Sequence, residues 1–110
     1  MTQNVLRTLP GDSNERKSIP ITTGVIDYFP LALAEVAKVS VVGNRQHNLG
    51  QPLQWSRGKS SDHADCILRH LIERGSKDSD GVPHSAKLAW RALALLQEEL
   101  EAEAGFVPQK

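Results

Sequence analysis

Apolar residues fall into three blocks separated by polar, glycine-containing stretches. In the first, Leu31, Leu33, Ala34, Val36, Ala37, Val39 and Val41 form a broadly apolar segment. It reads as a helix starting at Asp27, a good N-cap, with Pro30 in the first turn where its missing N–H costs little. Gly43-Asn44 is expected to stop it. The run from Val36 to Val41 also fits a short strand, the main alternative to an all-helical reading. In the second block Ala64, Ile67, Leu68, Leu71 and Ile72 recur at helical spacing. They predict a helix from about Ser61 to Arg74, capped by Ser60 or Ser61, ended by Gly75 and buried along that stripe. The third block predicts a helix from His84 to Glu103. Ala86, Leu88, Ala89, Leu93, Leu95, Leu96 and Leu100 cover more than half its circumference, which suits a central helix or an oligomer interface.

The connections carry as much meaning as the helices. Residues 43–60 make a loop of about 18 residues, longer than the usual connection in a compact domain. Leu53 and Trp55 give it anchors, so a functional loop is expected. Residues 76–83 form a short loop in which Asp78-Ser79-Asp80-Gly81 reads as a turn with an Asp cap for the third helix; no Glu closes it as a calcium loop. Residues 1–20 read as a flexible, charged, turn-rich tail, with Ile19-Pro20-Ile21 as an extended strap. The expected organisation is an all-α, compact helical domain over residues 21–104, with a C-terminal tail at 105–110. A wide apolar surface on so small a domain is often completed by oligomerisation.

Composition narrows the function classes. A chain of 110 residues is one domain's worth, and 39% hydrophobic with 24% charged is ordinary globular usage. The formal net charge is zero. That gives no overall attraction for duplex nucleic acid or an anionic membrane, both of which need a basic excess. The single cysteine, Cys66, allows no intrachain disulfide. No apolar run approaches the roughly 20 residues of a membrane span, so the expected location is the cytoplasm.

Polar residues are ordered along the last two helices. Asp62, Asp65, Arg69 and Glu73 share one face of the second. Two carboxylates one turn apart suit a shared divalent cation, and such a cation suits phosphate chemistry. The same spacing also describes a solvated face with an Asp65–Arg69 pair. On the third helix His84, Lys87, Arg91 and Glu98 share a stripe. His84 stands at the N-terminus, where backbone N–H groups favour anions, so the stripe reads as a phosphate grip or as an exposed polar face. His63, Cys66 and His70 occupy a further sector, but three ligands from one short helix fit a zinc tetrahedron poorly. Asn48 and Trp55 offer an amide and a ring to a base, although Trp55 reads better as a loop anchor and Trp90 as core or interface. Walker, GxGxxG and GxSxG motifs are absent from the sequence.

Three stretches together resemble a known family. They are Gly43-Asn44-Arg45-Gln46-His47-Asn48 with Trp55, then Asp62-His63-Ala64-Asp65-Cys66-Ile67-Leu68-Arg69-His70-Leu71, then Asp80-Gly81-Val82-Pro83-His84-Ser85-Ala86-Lys87-Leu88-Ala89-Trp90. They resemble the phage and prophage dATP/dGTP diphosphohydrolases, which are similar to compact all-α MazG-type nucleotide pyrophosphatases. The resemblance implies a homo-oligomer, dimer or tetramer. It implies a metal-dependent enzyme that splits a purine deoxynucleoside triphosphate into monophosphate and pyrophosphate. Glu35, Asp62 and Asp65 would hold Mg²⁺ or Mn²⁺, and Glu35, Asp65 and His70 would be catalytic. His47, Asn48, Trp55, Lys59, Arg69, His84, Lys87 and Arg91 would bind the nucleotide. The first helix departs from the family pattern: Ala34-Glu35-Val36-Ala37-Lys38 has one acid, and a lysine where another acid is expected. That leaves open an alternative, a non-catalytic phage protein that sequesters a nucleotide or a nucleotide-derived defence signal. A purely structural helical oligomer is disfavoured by the long polar loop.

Overall fold

The structure, a computed structural model, describes residues 5–57 and 61–108. Among the described residues there are four α-helices: α1 (Ser13–Lys17), α2 (Pro30–His47), α3 (His63–Ile72) and α4 (His84–Glu103). Among the described residues there is no strand, only an isolated antiparallel bridge between Lys77 and Pro83. The Val36–Val41 segment is helical. α4 is the axis: α3 lies along it most closely and α2 packs against it from another side. No helix among the described residues is long and apolar enough to cross a membrane.

The start of α2 departs from the expected one. Residues 22–26 form a π-helical turn, and the Asp27 N–H closes it by donating to the Thr22 carbonyl at 2.8 Å. Asp27 therefore ends that turn instead of capping α2, and Pro30 takes the first helical position. The far end also departs. Gly43 and Asn44 do not stop the helix, which runs on to His47. A glycine inside a helix costs about 1 kcal/mol. Asn44 offsets that cost by gathering the following loop: its Nδ2 donates to the Gln51 carbonyl, and its Oδ1 accepts from the Gln54 N–H. The chain turns at Gly50, whose φ of 82° is open to glycine. The connection before α3 thus begins at Asn48, five residues later than residue 43.

α3 shows the larger reversal. Most of its expected buried stripe faces outward: Ala64, Leu68, Leu71 and Ile72 are exposed, Ile72 at 78%, while Ile67 is half-buried. The residues turned toward α4 include His63 and Cys66, both buried. Polar partners on α4 explain the choice. Arg91 Nη1 donates to His63 Nδ1 at 3.2 Å, which places the ring proton on Nε2, 3.0 Å from Glu98 Oε1. Arg69 donates to Asp62 Oδ2 at 3.4 Å and to Cys66 Sγ at 3.0 Å, so its carboxylate partner is the residue at the N-cap of α3 and not Asp65.

The apolar core is small: Cys66, Val82, Ala86 and Ala94 are its buried members among the described residues. Much of the broad apolar surface of α4 is left open, with Leu93, Leu96 and Leu100 each 52% exposed. The C-terminal half of α4 is tied down by charge. Glu101 is 2% exposed and takes both guanidinium nitrogens of Arg57, at 2.6 and 3.0 Å. The Leu6 N–H donates to the same carboxylate at 2.9 Å, and Gln97 Nε2 donates to the Leu6 carbonyl. The segment near residue 6 and the end of the long loop therefore meet on one buried acid.

Candidate functional site

A groove of about 810 Å³ runs between α2 and α4, bordered by the loop that follows α2. Its floor is apolar, with Leu33, Val36, Leu93 and Leu96 among its lining. Its head is polar, with His70, Asp78, Asp80, Lys87, Arg91 and His63. Trp90 bridges the walls by donating from Nε1 to Ser40 Oγ at 2.9 Å. Gln46 reaches from α2 to Asp80 at 3.4 Å. The groove thus joins an apolar surface suited to a base or a second chain to a charged end suited to phosphate and cation.

The charged end is built by the turn before α4. Gly81 sits at φ 82°, the Asp78 N–H donates to the Val82 carbonyl, and the His84 N–H donates to the Ser76 carbonyl. This folds Asp78 and Asp80 back over the first turns of α4. Neither caps the helix, whose N-cap position is Pro83 without a side-chain bond. Both carboxylates instead hold Lys87 Nζ, each at 2.7 Å. Burial alone would lower the Lys87 pKa, but the two carboxylates outweigh it and raise it. Lys87 in turn holds Asp78 down to about 2, helped by the Ser79 N–H, and lowers Asp80 as well. The expected phosphate cation is therefore already matched by two acids.

His70 and His84 meet through their ring nitrogens across the α3–α4 junction. Their Nδ1 atoms are 2.9 Å apart and their rings tilt by 38°. Burial, the His84 ring and Lys87 lower the His70 pKa. One ligating atom each from His70, Asp78 and His84 lies within 4.8 Å of the others. Among the described residues this is the one such group of three.

The residues expected from the sequence divide accordingly. His47, Asn48, Trp55, His70, Lys87 and Arg91 line the groove. His84 backs it by contact with His70. Glu35 is held 2.7 Å from Lys38 on α2, and Asp65 is exposed on the first turn of α3. Asp62 faces Arg69 at 3.4 Å and Arg91 at 3.9 Å. These three acids do not form a ligating group in one chain. Lys59 lies outside the described residues. Asn48 donates to Ser56 Oγ at 2.6 Å and so braces the loop. Trp55 is a loop anchor, its edge on Trp90 at 5.7 Å and one face under the Arg57 guanidinium at 3.8 Å.

Sequence reasoning missed Asp78 and Asp80 as parts of a charged site, and the buried Arg57–Glu101 pair in the C-terminal half of α4. The signal for the first pair was present in Asp78-Ser79-Asp80-Gly81. An acid pair ahead of a left-handed glycine folds back along the next helix, where Lys87 waits. The second pair spans 44 residues and left no local trace.

A family model described as dATP/dGTP diphosphohydrolase, N-terminal, matches residues 10–105. No curated protein and no solved structure matches the chain.

Proposed function

The chain belongs to the dATP/dGTP diphosphohydrolase, N-terminal, family, and from that premise we propose that it binds a purine deoxynucleoside triphosphate in the α2–α4 groove and hydrolyses it to monophosphate and pyrophosphate. The observation that carries this reading is the convergence of Lys87, Arg91, His70, Asp78 and Asp80 in a groove that also offers the apolar side chains of Leu33, Val36, Leu93 and Leu96. The base would lie on the apolar floor, with His47 and the braced loop at its edge. The phosphates would lie toward Arg91, whose charge offsets that developing on the phosphoryl oxygens. Water is the nucleophile, and the proton acceptors facing the groove are His70, Asp78 and Asp80.

Two carboxylates beside Lys87 repel a bare triphosphate. A divalent ion, Mg²⁺ or Mn²⁺, must therefore enter with it; when bound it would neutralise phosphate oxygens and polarise the attacked phosphorus. Glu35, Asp62 and Asp65 remain the ion's proposed holders on the family resemblance, a role that needs Glu35 released from Lys38.

A homo-oligomer is part of the same proposal. Leu68, Leu71 and Ile72 on α3 are the outward stripe of a helix whose inner face is already satisfied, and the groove floor leaves Leu93, Leu96 and Leu100 half open. A second copy of the chain, offering the same stripe, is the partner that covers the α3 stripe and leaves the groove floor to the base.

One observation favours a second reading, capture without cutting. The 2.7 Å Glu35–Lys38 pair removes an acid from the supply of metal ligands. Incubation with dATP or dGTP and Mn²⁺ separates the two. Monophosphate and pyrophosphate are expected as products. Tight calorimetric binding of an intact nucleotide with no turnover would establish capture instead.

A further inference from the structure

We propose that His70, Asp78 and His84 form a binding site for one divalent transition-metal ion at the N-terminal end of α4. The three ligands come from three segments: the last turn of α3, the turn at 78–81 and the first residue of α4. They are not the acids that the family resemblance points to. One donor atom from each lies within 4.8 Å of the other two. The two imidazole Nδ1 atoms are 2.9 Å apart. Neighbouring donors in an octahedral complex, with metal–nitrogen bonds of about 2.1 Å, stand about 3 Å apart. The pair is therefore spaced as a chelate.

The surroundings fit a cation. His84 Nε2 faces Glu73 Oε2 at 3.7 Å, the carboxylate-behind-histidine arrangement that orients a ligating ring. Asp78 is held in place through Oδ1 by the Ser79 N–H at 2.7 Å. Lys87 competes for Asp78, yet it also holds Asp80 at 2.7 Å and stays neutralised when Asp78 turns to an ion. Glu73, Asp78 and Asp80 outnumber that one ammonium. Two imidazoles and one carboxylate select Mn²⁺, Co²⁺ or Zn²⁺ over Mg²⁺, which prefers oxygen ligands alone. His70 and Asp78 also line the groove, so an ion held there meets the phosphate end of a bound nucleotide. The inference rests on the proposed function for the use of the ion; the ligand geometry stands without it.

The test uses metal-stripped full-length protein with no nucleotide present. Co²⁺ is titrated while its visible absorption is followed, and Zn²⁺ is titrated by calorimetry. One equivalent per chain is expected. His70→Gln and Asp78→Asn should each weaken binding 10- to 100-fold with helical circular dichroism unchanged, and Glu99→Gln, at an exposed acid of α4, should leave it intact. Absence of stoichiometric binding overturns the site. Binding that survives both variants, or that falls with Glu99→Gln instead, overturns it equally. Stoichiometric binding with no triphosphate hydrolysis would sink the hydrolase reading and leave this site standing.

Discussion

Glu101 is a carboxylate at the bottom of the structure, and its burial is tolerated because Arg57, Gln97 and the Leu6 N–H all donate to it. Removing one member of a buried ion pair leaves the other charge uncompensated, which costs about 3–5 kcal/mol. Arg57→Leu should therefore lower stability by about 3 kcal/mol or more in urea unfolding, and unchanged stability would show the pair to be ornamental. Burial by itself would raise the Glu101 pKa, but its three donors outweigh it and hold it below the ordinary 4.5. The folded value lies under the unfolded one, so the contribution is complete above pH 4.5 and is lost as pH falls through the folded value. The melting-temperature gap between the natural chain and Glu101→Gln should accordingly be widest near neutrality and shrink below pH 4.5. A gap independent of pH would refute the assignment.

At the scale of elements, two glycines make opposite predictions. Gly43 is helical, and a Cβ built there meets nothing within 4 Å. Gly43→Ala should raise stability by roughly 0.5–1 kcal/mol. It lies in the groove lining, so the same variant should weaken nucleotide binding if the base approaches that backbone. Gly81 sits at φ 82° in the turn that folds Asp78 and Asp80 onto Lys87. Gly81→Ala should cost about 1 kcal/mol in a thermal melt and loosen the charged end. α3 shows why its inner face was hard to read: the wheel separates an apolar stripe from a His63–Cys66–His70 sector, and burial went to the polar one. Periodicity orders the faces of a helix without saying which neighbour each meets. Here Arg91 and Glu98 on α4 supply the partners that make a buried histidine acceptable.

On the scale of the whole molecule, a core led by Cys66, Val82, Ala86 and Ala94 is slight for a chain of 110 residues. The large apolar residues left open include Leu68, Leu71 and Ile72 on α3, Leu93, Leu96 and Leu100 on α4, and a second set between Ile19 and Leu31. Analytical ultracentrifugation should find a species heavier than one chain, and Leu68→Glu together with Ile72→Glu should return it to the monomer. A natural chain that sediments as a monomer would remove the second copy from the proposed function.

The sequence by itself determined the all-helical class, the extent of α4 and the family. Each rests on local chemistry: an uninterrupted apolar period from His84 to Glu103, and motifs read in order along the chain. It also brought out His70, Lys87 and Arg91, because polar residues in line on a helix are visible on a wheel. Tertiary structure alone decided the rest. It set the inward face of α3, the passage of α2 through Gly43, the clamp of Arg57 on Glu101, and the meeting of His70 with Asp78 and His84. Each depends on contacts between segments distant along the chain or on different elements, and a buried charge or imidazole is affordable only where its partner arrives in space.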